Sequence, residues 1–117
     1  MKMLHVTIQT EKFESELQFY LKIVGLKVIS DMRPMGMQMV FLADNEGDTE
    51  IEIIGNPEAK PIQNEFLSIG FKTDDVVKKY EELNALGLEV SQIIKPNPNV
   101  QFFFVKDPAG VAIQFMA

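Results

Sequence analysis

Few side chains in this sequence can do chemistry. Among 117 residues there is no cysteine, a single histidine (His5) and a single arginine (Arg33), against 17 carboxylates. Without thiols there is neither a disulfide framework nor a thiolate metal site, so imidazole, carboxylate, amide or hydroxyl groups must hold any metal. His5 stands with Thr7 and Gln9 on the polar side of an alternating segment whose other side is Leu4, Val6 and Ile8. Glu52 shares a face with Glu50 and Ile54, while Gln114 is flanked by Ile113 and Phe115, which point the other way. Three polar side chains thus project from strands that would otherwise be apolar, and burying them requires partners. Polar partners for all three are the expectation.

The elements that must position these groups follow from periodicity. His5 to Gln9 alternates and reads as a strand; Phe13, Leu17, Tyr20, Leu21 and Val24 recur at three and four residues, the stripe of an amphipathic helix, with a stop at Gly25. Leu26 to Ser30, Met37 to Ala43 and Thr49 to Ile54 read as three further strands, separated by a Pro34/Gly36 turn and by turn residues at Asn45 to Gly47. After an exposed linker around Pro57 to Pro61 the order begins again. Leu67, Ile69 and Phe71 alternate, Val76, Tyr80, Leu83 and Leu86 form a helical stripe that Gly87 stops, and Glu89 to Ile94, Gln101 to Val105 and Ala112 to Met116 read as strands. Pro96 to Asn99 and Asp107 to Gly110 supply the turns, and the Asp74-Asp75 pair is placed to cap the second helix.

Each half is therefore β-α-β-β-β, and the two align. Thr10 matches Thr73, Gly25-Leu26 matches Gly87-Leu88, Val28 matches Val90, Phe41 matches Phe103 and Gly47 matches Gly110, always 62 or 63 residues apart. A near-constant offset that joins equivalent turns, helix stops and strands is the signature of internal duplication. The sequence predicts one α+β domain over residues 1–117: module one at about 1–56, a linker at about 57–64 and module two at about 65–117. The duplication also pairs His5 with Ser68 and Glu52 with Gln114.

Composition sets the outer limits. With 46% hydrophobic and 24% charged residues the chain is an ordinary globular sequence, and its apolar runs fall far short of the ~20 residues of a membrane span. Met1 to Leu4 lacks the order of a secretory signal, so a cytoplasmic protein is expected. Eleven basic residues against 17 acidic ones leave a net charge of −6, which repels a phosphate backbone and argues against nucleic acid as a partner.

HVTIQTEKFESELQFYLKIVGLKV, from His5 to Val28, resembles the opening of the vicinal oxygen chelate superfamily, the glyoxalase, bleomycin resistance and dioxygenase group. There a strand histidine precedes a helix with a Phe-Tyr pair, here Phe19-Tyr20, and a Gly-Leu. SIGFKTDDV at Ser68 to Val76 and FFFVKDPAGVAIQF at Phe102 to Phe115 extend the likeness over nearly the whole length. The resemblance implies two tandem βαβββ modules whose curved mixed sheets surround a cleft, a homodimer, and a small-molecule substrate or ligand. It also implies one weakly held divalent ion (Zn, Ni, Mn or Fe) at His5, Glu52 and Gln114, with Ser68 in the fourth position. The commonest pattern in the group is His, Glu, His, Glu, so Ser68 and Gln114 depart from it.

Those departures weigh on the activities the group offers. Imidazole, carboxylate and amide oxygen suit a divalent ion, whereas a neutral hydroxyl such as that of Ser68 does not, so water would complete the shell. With metal, the expected chemistry is Lewis-acid polarisation of a substrate carbonyl in a lyase or isomerase reaction, Glu52 serving as base. A lactoylglutathione lyase is a poor match: the Gln114 amide accepts no proton near neutral pH, and only one arginine is present to clamp an anion. An extradiol dioxygenase, with two histidines and a carboxylate on iron, is a worse one. The competing class is a metal-free drug-sequestering protein of the bleomycin-resistance kind. Met32, Met35, Met37 and Met39 crowd one region and Phe102, Phe103 and Phe104 crowd the equivalent strand, offering adaptable and flat surface. Ser68, Met37, Met39 and Phe103 are the expected cleft lining.

Overall fold

The computed structural model describes all 117 residues, which fall into two compact units, Met1–Pro61 and Ile62–Ala117. The boundary lies inside the stretch read as a linker. Unit 1 runs β1 (His5–Thr10), α1 (Phe13–Gln18), β2 (Lys27–Asp31), β3 (Met39–Ala43) and β4 (Glu50–Gly55). Its sheet has the order β1-β4-β3-β2, with β1 and β4 parallel and the other pairs antiparallel. Unit 2 repeats the plan with β5 (Ser68–Lys72), α2 (Val76–Ala85), β6 (Ile94–Asn97), β7 (Val100–Lys106) and β8 (Ala112–Met116), ordered β5-β8-β7-β6. The α+β architecture of two βαβββ modules with mixed four-stranded sheets is thus observed.

Each unit packs one face of its sheet on its helix. In unit 1 Ile8, Val40, Leu42, Ile51 and Ile53 meet Phe13, Leu17, Phe19 and Tyr20, all buried. The helical stripe differs from the expected one because α1 gives way at Phe19 to a π-helical turn, Phe19–Val24. The wider turn rotates the following side chains, so Phe19 and Tyr20 are both buried and Leu21 and Val24 only half-buried. In unit 2 Phe103, Val105, Ile113 and Phe115 meet Val76 and Leu83, and Tyr80 sets its ring edge-on to Phe103 with centroids 5.6 Å apart. Asp75 caps α2, its Oδ1 accepting from the Lys78 N–H at 3.0 Å.

The fourth strand of unit 2 departs from expectation. The sequence predicts an extended Glu89 to Ile94, yet that stretch contributes one isolated bridge, Val90 to Val105, and the strand falls on Ile94–Asn97, across the predicted turn, with a register shift between its ends. β6 is an edge strand, where Pro96 needs no ladder donor, and Asn97 Oδ1 accepts from Asn99 N–H at 2.9 Å to close the tight turn into β7. No helix of the chain is long and apolar enough to cross a membrane.

Candidate functional site

The face of each sheet turned away from its helix carries the candidate residues. In unit 1 the register sets Thr7 and Phe41 on either side of Glu52, and alternation puts His5 and Met39 on the same face. Glu52 is 8% exposed, rare for a carboxylate unless it is paired. The Thr7 hydroxyl donates to Glu52 Oε1 at 2.5 Å, and His5 Nε2 lies 3.5 Å from the same oxygen. The His5 ring, 38% exposed, reaches across β4 to meet Phe41 edge to face at 5.8 Å. Glu52 Oε2 makes no hydrogen bond within the chain, so the carboxylate is fixed on one side and open on the other.

Unit 2 places Ser68 at the exposed start of β5, opposite Ala112, and Gln114 in mid-strand between Gly70 and Phe104. Gln114 is half-buried, and a Cβ added at Gly70 would come within 3.1 Å of its amide oxygen. Met37, 45% exposed, lies in the segment before β3, and Met39 on the open face is half-buried opposite Ile54. Phe103 corrects an expectation: it is wholly buried against Tyr80 and Phe115 on the helix side, and Phe102 and Phe104 occupy the open face instead, their rings 5.7 Å apart. Left out of the expected cleft lining were Thr7, Phe41 and Phe104. The signal was available for Thr7, which shares the parity of His5.

Arg33 is committed elsewhere. Its Nε and Nη2 reach both oxygens of Asp31, at 2.9 and 2.7 Å, and this bidentate pairing holds the Asp31 carboxyl at about 2, below its ordinary 3.8. The one guanidinium of the chain is therefore not a free anion clamp.

The donor set tests the implied metal. A resident ion needs three or four protein ligands, and unit 1 offers His5 and Glu52, the carboxylate already accepting a hydrogen bond from the Thr7 hydroxyl. From the positions that match it in the repeat, unit 2 offers the amide of Gln114 and the hydroxyl of Ser68. No three His, Asp or Glu side chains converge anywhere in the chain. Neither unit by itself supplies the three or four ligands of a resident ion.

The sequence from residue 2 to residue 115 matches the family model described as Glyoxalase/Bleomycin resistance protein/Dioxygenase superfamily. Among solved structures, the fold is similar to that of the trypanothione-dependent glyoxalase I of Leishmania major, with a TM-score of 0.80 and 21% identity over 98% of this chain and 85% of that one. A putative glyoxalase family protein from Bacillus anthracis gives 0.74 and 24% over 99% and 93%. TnmS3, an antibiotic binding protein from Streptomyces sp. CB03234, gives 0.72 and 19% over 98% and 93%. At such identities the likeness concerns the fold alone. No curated protein matches the sequence.

Proposed function

The chain belongs to the Glyoxalase/Bleomycin resistance protein/Dioxygenase superfamily, and from that premise we propose that it holds a small organic molecule against the open sheet face of unit 1 without a resident metal ion. The observation that carries this reading is the two-sidedness of Glu52. Its Oε1 accepts a hydrogen bond from the Thr7 hydroxyl and faces His5, and its Oε2 has no partner within the chain. Such a carboxylate is a directional acceptor for a ligand hydroxyl, amide or ammonium. Phe41 and Met39 beside it supply flat and polarizable surface for the apolar part of the ligand. The net charge of −6 favours a cationic ligand over an anion, and an antibiotic binding protein among the similar folds supports a sequestering role.

The test is a nitrogen-15 NMR titration with amine-bearing aromatic compounds, repeated on Glu52→Gln and His5→Ala. The expected result is saturable shifts at the amides of Thr7, Phe41 and Glu52, with affinity lowered about tenfold in Glu52→Gln, as for a lost hydrogen bond to a charged group. Shifts that avoid this face would overturn the reading. Adding Zn, Ni, Mn or Fe ions should leave the melting temperature unchanged; a His5-dependent rise at micromolar ion overturns its metal-free part, because native-state binding stabilises by mass action.

The 3.5 Å approach of His5 Nε2 to Glu52 Oε1 favours a second reading, in which Glu52 removes a proton from a carbon next to a ligand carbonyl and His5 relays it. Protein-dependent deuterium uptake into a bound carbonyl compound, lost in Glu52→Gln, separates catalysis from sequestration. A homodimer belongs to the same proposal, with exposed Met3, Leu4, Phe66 and Leu67 supplying apolar surface for it to cover. Sedimentation analysis reads it directly.

A further inference from the structure

Unit 2 carries a groove that the reading above leaves unused. Where β6 is interrupted, Ser91 N–H donates to the Phe104 carbonyl at 2.9 Å, while Phe104 N–H donates to Ser91 Oγ at 2.8 Å. A side-chain hydroxyl thus stands where a ladder carbonyl would accept. Beside this break lies a space of about 460 Å³, bordered by Glu89, Val90, Ser91, Phe104, Lys106 and Ala112. That is within the usual size of a small-molecule site.

The lining divides by chemistry. Val90, Phe104 and Ala112 are apolar, and the Ser91 hydroxyl is spent, since it also donates to the Gln92 carbonyl at 3.0 Å. Two charged groups remain. The antiparallel bridge of Val90 to Val105 sets Glu89 directly across from Lys106. Both are exposed, and neither forms an ion pair or a side-chain hydrogen bond within the chain. A carboxylate and an ammonium, side by side and unpaired, border one end of an apolar groove with an aromatic wall.

We propose that this groove binds a small zwitterion of the α-amino-acid type, its ammonium at Glu89, its carboxylate at Lys106 and an apolar body on Phe104. An amine alone meets the like charge of Lys106, and an acid alone meets that of Glu89. Only a ligand of both signs satisfies the pair, which is what separates this occupant from a general apolar one. The site is built wholly from residues of unit 2.

Three ligands with the same ring and side-chain length test it: L-phenylalanine, phenethylamine and 3-phenylpropionate, each titrated into the nitrogen-15-labelled protein. Expected are saturable millimolar shifts at the amides of Glu89 to Gln92 and Phe104 to Lys106. L-Phenylalanine should bind about two- to fivefold more tightly than either monoion, the scale of exposed charge pairs. Glu89→Gln should erase its advantage over 3-phenylpropionate, and Lys106→Met its advantage over phenethylamine. Equal affinity for all three, shifts outside the groove or no saturable shift would overturn the proposal. The ranking on the unaltered protein decides it even if a variant folds poorly.

Discussion

Facing Glu52 from β1 in unit 1 is Thr7; facing Gln114 from β5 in unit 2, at the same place in the repeat, is Gly70. The two open faces thus share a plan and differ in what they hold. Where a carboxylate is 8% exposed, the neighbouring strand supplies a hydroxyl donor and an imidazole. Where that carboxylate has become an amide, the donor is reduced to a glycine and the imidazole to Ser68. Burying a charge demands compensation that a neutral amide does not, so the three differences read as one linked change. Around Glu52 unit 1 gathers a hydroxyl and an imidazole, and around Gln114 unit 2 sets a glycine and the Phe104 ring.

The largest effect that tests this assignment of faces comes from two adjacent phenylalanines. Phe103 fills the core of unit 2 between Tyr80 and Phe115, so Phe103→Ala should cost about 3–5 kcal/mol of stability in urea unfolding. Phe104→Ala, on the open face, should cost no more than about half as much, because less surface leaves water there. Equal losses would break the comparison at its root.

That pair also marks how far the sequence could be read. The order of elements along the chain, the helix stops and the duplicated plan were legible, because alternation and three-to-four spacing survive without coordinates. Phe103 was misplaced by a single residue of alignment. Paired with Phe41 at an offset of 62, it belongs on the open face, whereas the sheet register gives Phe41 opposite Glu52 and Phe104 opposite Gln114, an offset of 63. The offset falls to 62 only afterwards, because residues 44–49 join β3 to β4 while the shorter 107–111 joins β7 to β8. With a side-chain period of two, a slip of one residue exchanges the faces. The Thr7–Glu52 hydrogen bond was hidden for a different reason: two strands far apart in sequence had to be paired in register before the contact existed. The interrupted β6 was illegible because Ser91 substitutes a hydroxyl for a backbone acceptor, a contact that no periodicity announces.

The same two connections give the next effect. Gly47 and Gly110 both hold left-handed backbone, at φ 93° and 100°. A Cβ at Gly47 meets nothing within 4 Å, so Gly47→Ala should cost only the backbone strain, about 1–2 kcal/mol. At Gly110 a Cβ would collide with the carbonyl oxygen of Ile62, in a backbone stretch held by the Ile62 N–H to Ala109 carbonyl bond of 2.8 Å. Gly110→Ala should therefore exceed Gly47→Ala by at least about 1 kcal/mol in thermal unfolding. A reversed order would show that the two turns are not equivalent positions of one repeat.

A smaller effect sharpens the contrast between Thr7 and Gly70. Thr7→Val keeps the shape and removes the donor to Glu52 Oε1, at about 1 kcal/mol. In a Glu52→Gln background the loss should shrink, and the double-mutant cycle isolates the coupling. Gly70→Ala should be nearly neutral: the strand gains a better residue, and the only close neighbour of the new methyl is the movable end of Gln114. If Thr7→Val is as silent as Gly70→Ala, Glu52 does not depend on its donor and the linked change dissolves.

The least costly contrast is between the edge strands. β2 passes one irregularity between Val28 and Ser30 and stays paired to Asp31, whose carboxylate then takes Arg33 from both sides and the Arg33 backbone N–H at 3.0 Å, fixing the turn toward β3; β6 has no such clamp, and its approach breaks at Ser91. Carbon-13 NMR titration of Asp31 should give a value of about 2, and Arg33→Ala should return it toward 3.8. Because the folded value lies below the ordinary one, whatever stability the pair contributes is complete above about pH 4 and is lost as pH falls through about 2. Both groups are exposed and screened, so Arg33→Ala should move the titration clearly and the unfolding midpoint at neutral pH hardly at all. A large loss at neutral pH would mean that the clamp, and not the strand pairing, keeps β2 paired to its end where the approach to β6 breaks.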